Sequence, residues 1–524
     1  MPRLLGLLTA LVLAAACAPA AAVADPYPVT KTSDSGAGSL RAAIVAANSH
    51  TGADTIPIET TGTIELATAL QIIFDPVAIG GPGAGQLEIR RAAAAPDFPV
   101  FAISADTGPS ALSGLTVSNG RAESFGQFVI GGGIRNGEGS LTLAGVVVKG
   151  SEAVADGGAE DRAEGGGVYS EGPLVLRDSV IAENAARASG GAAETLAAGG
   201  GVAAFDSLTV ERSTISYNVA GASGGGGIAS AQGGGLLAPD QTEIELSTIS
   251  GNSAIAADGG TQTRAAGGGI TAFEGNLTGT TLAGNAATST GQAFGANLDA
   301  VMTTVVRDSI VAGPLGGAAS CNGATVSGGY NLDDGGSCEF EAGSDLNGVA
   351  AGLDPVLKDN GGPTPTHALL PGSIALARGN SFGDTTDQRG LPRPGDFPAI
   401  SNKEGGDGSD IGAFELQVPP GGGAQPAAIL VDAEPGDTTP PRTRLLSGPA
   451  RVGYERLATF RFASSEGQSS FRCKLDRKRW KKCRSPYRLS VRPGRHLFKV
   501  RAIDRFGNAD PTPARFGWRV KPLS

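Results

Sequence analysis

The chain has 524 residues, 82 of them Gly and 32 Pro, with 5% aromatics, 5 Cys and 3 His. No strict Gly-X-Y period runs through it, so it is not collagen. With 40% apolar residues in short Val, Ile and Leu runs it is not a disordered chain either. The net charge of −10 is unevenly divided: residues 438–524 hold 22 Lys and Arg against 5 Asp and Glu, which leaves +17 there and −27 on the rest.

Residues 1–24 read as a signal peptide: Arg3, an apolar run from Leu4 to Ala16, and an A-x-A site at Ala22-Val23-Ala24. Cys17 after Ala14-Ala15-Ala16 offers a lipoprotein reading as the alternative. No other stretch approaches the about 20 apolar residues of a membrane span, so no transmembrane segment is expected in the mature chain. An extracellular or cell-surface location follows. The four other cysteines form two locally spaced pairs, Cys321 with Cys338 and Cys473 with Cys483, and read as two disulfides of an oxidising compartment. Zinc is the competing reading, but neither pair has the C-x-x-C spacing or a nearby His.

Residues 25–130 read as an N-terminal cap and the first coils of a solenoid. Leu40, Ala43, Ile44 and Ala47 share one face of a short helix that suits the cap. Ile56-Pro57-Ile58, Ile64-Glu65-Leu66 and Leu87-Glu88-Ile89 read as irregular first strands. The run Thr32-Ser33-Asp34-Ser35-Gly36-Ala37-Gly38-Ser39-Leu40-Arg41-Ala42-Ala43-Ile44 resembles the opening of bacterial secreted β-helix proteins with a "CSLREA" motif. Gly38 stands where that family has Cys, and Ala42 where it has Glu.

Residues 131–315 carry a repeat of 34. A Gly-Gly-Gly triplet begins at Gly131, Gly165, Gly199, Gly233 and Gly267, each followed by an apolar residue. Ile181, Ile215 and Ile249 keep the register, as do Asn184, Asn218 and Asn252, with Asn285 one residue early. Triple glycine costs a helix about 1 kcal/mol per residue, and the apolar runs alternate over five to eight residues. Each repeat therefore reads as one coil of a parallel β-solenoid, with short strands, tight turns and one longer loop. The asparagines would stack as an inward structural ladder; a row of ligands is the other reading. The Gly-Gly-Gly-Ile and Ile-Ser-x-Asn elements also resemble repeats of polymorphic outer-membrane proteins.

Residues 316–418 read as the last coils and a C-terminal cap. Asp359-Asn360-Gly361-Gly362-Pro363-Thr364-Pro365-Thr366-His367, Asp387-Gln388-Arg389-Gly390 and Asp410-Ile411-Gly412-Ala413-Phe414-Glu415 are similar to the cap of the "choice-of-anchor" β-helix family. That resemblance spans residues 29–418 and implies a surface or extracellular β-helix without demonstrated activity. Ile374 and Ala377 depart from the family's Pro and Asp. Asp384, Asp387, Asp407 and Asp410 are oxygen ligands of the kind Ca²⁺ takes, but their spacing fits neither an EF-hand nor the nonapeptide calcium repeat. The alternative is that Asp387 and Asp410 pair with Arg389 or Arg393 to tie down the cap. No cofactor is expected.

Residues 419–440 are a Pro/Gly linker. Residues 441–524 alternate as strands, and Cys473, Leu475-Asp476, Trp480, Cys483 and Ser485-Pro486-Tyr487 resemble a small bacterial immunoglobulin-like module. Arg472, Lys474, Arg477, Lys478, Arg479, Lys481, Lys482 and Arg484 crowd one short span, which points to an anionic envelope or extracellular polysaccharide as partner. A solvated strand-and-loop face is the other reading. The fold class expected is all-β: a right-handed single-stranded parallel β-helix (a pectin-lyase-like solenoid) followed by a small immunoglobulin-like β-sandwich.

Parallel β-helices also host polysaccharide lyases and hydrolases. Between residues 131 and 300 no His occurs, and the Asn-Thr-Asp, Asp-Asp and Gly-His-Gly motifs of polygalacturonases are missing there. The expectation is a non-enzymatic secreted or cell-surface protein, monomeric, acting in adhesion or envelope interaction. A polysaccharide-active enzyme is the alternative. Nucleic acid is not expected as a partner, because aromatic stacking stripes are lacking.

Overall fold

In the computed structural model, residues 26–417 and 441–521 are described, less 106–107, 126–127, 225, 396–399, 450, 454–455, 465–469, 477, 486 and 504–507. The expected signal peptide and the linker core lie outside them. The described residues fall into two compact units, one on either side of residues 418–440. The first is a parallel β-solenoid. Among the described residues its single helix, Leu40–Ala47, is capped by Ser39, whose hydroxyl accepts from the Ala42 N–H. Leu40, Ala43, Ile44 and Ala47 are buried against the first coil, as the periodicity anticipates.

One repeat contains five strands rather than strands plus a long loop. Following a glycine triplet they are Val168–Ser170, Leu174–Arg177, Val180–Ala182, Ala185–Ser189 and Glu194–Ala198. Each pairs in parallel with its counterpart one repeat on, so Ile134, Val168, Val202, Leu236 and Ile270 form one stack and Val148, Ile181, Ile215, Ile249 and Leu282 another. These residues are fully buried and form the core of the coil. The third strands build an 11-stranded sheet.

The fourth and fifth strands leave the coil as a fin, two six-stranded parallel sheets packed face to face. Val129 apart, every buried apolar side chain between them is Ala, from Ala153 to Ala287, with Asp161, Thr195 and Thr263 buried at the same parity on the fifth strands. Small side chains fill most of the space, which permits a closer approach than the about 10 Å of ordinary sheet packing. The triplet glycines form the neck of this fin. The first has a positive φ, +64° at Gly165. At the second, a Cβ on Gly166 would lie 2.2 Å from the Ala185 carbonyl carbon and 2.4 Å from the Gly200 oxygen. Backbone crosses backbone there, and only hydrogen fits.

After the last coils, residues 353–395 and 400–416 run back along the outside of the third-strand sheet. Thr364 Oγ1 donates to the Arg212 carbonyl, and Thr248 Oγ1 donates to Gln388 Oε1 at 2.6 Å. Leu369, Leu376, Ile411 and Phe414 bury themselves with Ile310 and Leu332 beneath this strap. Cys321 and Cys338 form a disulfide.

The second unit has a three-stranded sheet, Thr443–Ser447, Leu457–Ser464 and Tyr487–Ser490. A five-stranded sheet runs in the order Val452–Gly453, Ala514–Val520, Gly494–Ile503, Ser470–Leu475 and Lys481–Cys483. Phe460 and Phe498 stack at 4.0 Å in a core shared with Phe462, Val500, Trp518 and the Cys473–Cys483 disulfide. This small β region fits an immunoglobulin-like module. No helix among the described residues is long and apolar enough to cross a membrane.

Candidate functional site

Three sets of residues bear on function: the asparagines, the strap carboxylates and the basic cluster. Asn184 Nδ2 donates to Asn218 Oδ1 at 3.0 Å, Asn218 to Asn252 at 2.9 Å, and Asn252 to Asn285 at 3.0 Å. The second proton of each amide reaches a backbone carbonyl, Val148, Ile181, Ile215 or Ile249 in turn. Each acceptor oxygen also takes the backbone N–H of the coil before. The row continues through Asn297 to Ser320, outside the 34-residue register. Every amide position is consumed by protein, so the chemistry of this ladder is that of a buried scaffold.

Under the strap, Asp387 holds the Arg389 guanidinium at 2.7 Å and accepts the Glu415 N–H. Asp407 accepts from Ser381 and Ser409, and Asp410 accepts the N–H groups of Ala377 and Leu416. These aspartates tie chain to chain, and among the described residues no three His, Cys, Asp or Glu side chains gather as a metal-holding cluster. Arg393 is buried and paired with Asp308, with Glu415 3.7 Å away. One guanidinium thus faces Asp308, Asp410 and Glu415. Burial pushes Asp308 well above the ordinary carboxyl range and Asp410 up to about 6. Burial and the Asp410 charge push Glu415 up to about 8. His367 sits beneath the strap, with Nε2 2.8 Å from Ser250 Oγ and Nδ1 2.8 Å from the Asp354 carbonyl oxygen. Burial lowers its pKa, so the neutral ring bridges strap and coil.

The basic cluster is redistributed by the fold. Arg472 lies opposite Lys482 on one side and Arg501 on the other, and Lys474 lies opposite Lys499, which lies opposite Arg515. Arg495 pairs with Arg519. Strand parity places these eight cations on one face of the five-stranded sheet, because Cys473, Phe498, Val500 and Trp518, at the alternate positions, fill the core. Lys478 and Arg479 are exposed in the turn between strands. Lys481, opposite Cys473, has the other parity, and Arg484 is exposed beyond the strand end. Arg477 lies outside the described residues. Arg501 lies 4.8 Å over the Trp480 ring. The described acidic residues of this unit are Asp476 and Asp510, and neither stands on these strands.

Sequence proximity picks out Arg472 to Arg484 and misses Arg495, Lys499, Arg501, Arg515 and Arg519. Their signal is the same alternation, cation against aromatic or Val, in Arg495 to Arg501 and Arg515 to Arg519. No protein-family model and no curated protein sequence matches the chain.

Proposed function

We propose that this is a non-enzymatic, secreted or cell-surface β-solenoid protein whose C-terminal unit holds an anionic polysaccharide of the envelope or matrix. The observation that carries this reading is the basic face, whose eight cations have no ion-pair partner among the described residues. Like charges directly opposite one another on a sheet destabilise it, and here they stand opposite in three rows. Lysines guard sheet edges against aggregation, but most of these cations are on the three inner strands, where edge protection does no service. A polymer with regularly spaced negative charge would neutralise the rows. The two disulfides support an oxidising location.

The test is retention of the full chain on immobilised polygalacturonate as salt rises. Binding should weaken steeply, because the interaction is screened within about 8 Å at physiological ionic strength. Reversing Arg472, Lys482, Arg515 and Arg519 to Glu should abolish retention, whereas reversing Lys478 and Arg479 in the turn should weaken it far less. Equal loss in the two variants would locate binding in the sequence cluster rather than the sheet face. Salt-independent retention would remove the electrostatic basis.

A further inference from the structure

Where the fin meets the coil, the solenoid has a groove of about 470 Å³, within the range of small-ligand sites. One wall is the fin's second sheet, ending in Glu164, Ala198 and Gln232 just ahead of the glycine triplets. The other is the outer face of the strands that follow those triplets, with Tyr169, Ala203 and Leu237 in register.

Three features of this groove are not accounted for by folding. First, Phe205 and Phe273 are 41% and 38% exposed at equivalent positions two coils apart, with Pro239 between them. Two coils rise about 10 Å. Tyr169, 5.2 Å from Phe205, supports that ring from the coil before. Second, planar hydrogen-bonding groups line the same groove: Asp206, Asp240, Gln232 and Gln241. Third, Glu164 is fully buried and takes Arg162 Nε at 2.6 Å on one oxygen, while its Oε2 has no hydrogen-bond partner among the described residues. A buried polar atom left unmatched is costly, and here it stands at the groove wall. Burial also raises the Glu164 pKa, which favours a carboxyl able to donate.

We propose that this groove binds a neutral, extended oligosaccharide, with alternate sugar rings stacked on Phe205 and Phe273 and hydroxyl groups bonded to the carboxylates and amides beside them. Two coils of rise equal one disaccharide unit of an extended chain, so the solenoid pitch places a ring under every second sugar. Exposed aromatic faces supply stacking, and Asp and Gln supply acceptors and donors in fixed planes. Asp206 and Asp240 repel uronic chains, so this ligand is distinct from the polyanion assigned to the basic sheet, and the site does not depend on that assignment.

The experiment is calorimetric titration of the full chain with cellohexaose, mannohexaose and hexa-N-acetylchitohexaose, and with hexagalacturonate, in about 1 M salt, where charge is screened within about 3 Å. At least one neutral hexaose should bind saturably, and hexagalacturonate should bind more weakly, because a uronate seated in the groove would meet Asp206 and Asp240 at contact distance, where screening is least complete. Phe205→Ala with Phe273→Ala should weaken that binding at least about fivefold with an unchanged circular dichroism spectrum, and Phe→Tyr at both positions should retain it. Absence of binding by all three neutral sugars, a smaller loss in the double alanine variant, or equally tight hexagalacturonate binding would overturn the proposal. Because the basic sheet is screened under these conditions, failure here leaves the polyanion reading standing, and failure of that reading leaves this one.

Discussion

At the level of single residues, the asparagine ladder and the strap hold buried polar groups in opposite ways. The asparagine ladder closes its hydrogen bonds completely, which is why a row of buried amides is tolerated. Under the strap, Asp308, Asp410 and Glu415 share one buried guanidinium, so full ionisation would leave uncompensated negative charge. The protonated forms are therefore the stable ones. Glu415 rises from 4.5 unfolded to about 8 folded, and Asp410 from 3.8 to about 6. A carboxyl with a raised folded pKa gives stability that is present below its unfolded value and is lost as pH rises through its folded value. Thermal unfolding should thus move to lower temperature between pH 5 and about 8.5, and Glu415→Gln should flatten that dependence. A midpoint that rises with pH over this window, or an unaltered slope in the variant, would contradict the assignment. This site is barely legible in the sequence: the pairing of Asp387 with Arg389 is local, but Asp308 meets Arg393 across 85 residues.

At the level of elements, the glycine triplet is the signature of the neck rather than of a generic turn. At Gly200 a Cβ would lie 2.4 Å from both the Gly234 oxygen and the Val219 carbonyl carbon, contacts that cannot relax without parting two strands. At Gly145 nothing lies within 4 Å, and only its φ of +61° resists substitution. Gly145→Ala should therefore cost about 1–2 kcal/mol, while Gly200→Ala should cost several-fold more or prevent folding; urea titration of the two variants compares them, and equal costs would refute the crossing-backbone account. The 34-residue period, the inward Ile and Val stacks and the parallel register could be read directly, because large apolar residues mark a core unambiguously. The fin could not. Its inward positions are Ala with mixed residues between them, as in Ala153-Val154-Ala155 and Ala186-Arg187-Ala188, and a methyl group carries too little hydrophobic signal to distinguish a buried strand from a loop.

At the level of the whole molecule, charge and core divide in the same place. The solenoid holds its large apolar residues in stacked layers, whereas the C-terminal unit draws its core from residues 445–520 alone. The change in composition marks that division in the sequence, but the basic face becomes visible only when strand pairing brings Lys499 and Arg501 beside Lys474 and Arg472, and Arg515 beside Lys499. A core of this size beneath opposed like charges has little stability to spare, and the Cys473–Cys483 bridge offsets part of that deficit. The bridge closes a sequence separation of 10, for which restriction of the unfolded chain contributes about 3 kcal/mol. With separate cores, the full chain should unfold in two calorimetric transitions. Replacing both Cys473 and Cys483 by Ser should lower the transition of the C-terminal unit and leave that of the solenoid in place. Polyanion retention should fall with it when measured above the shifted midpoint and persist below it, because the bridge holds the sheet and the cations do the binding. A single transition that shifts as one in the variant would show that the two units fold as one cooperative body, and retention lost even well below the midpoint would place the bridge itself in the binding face.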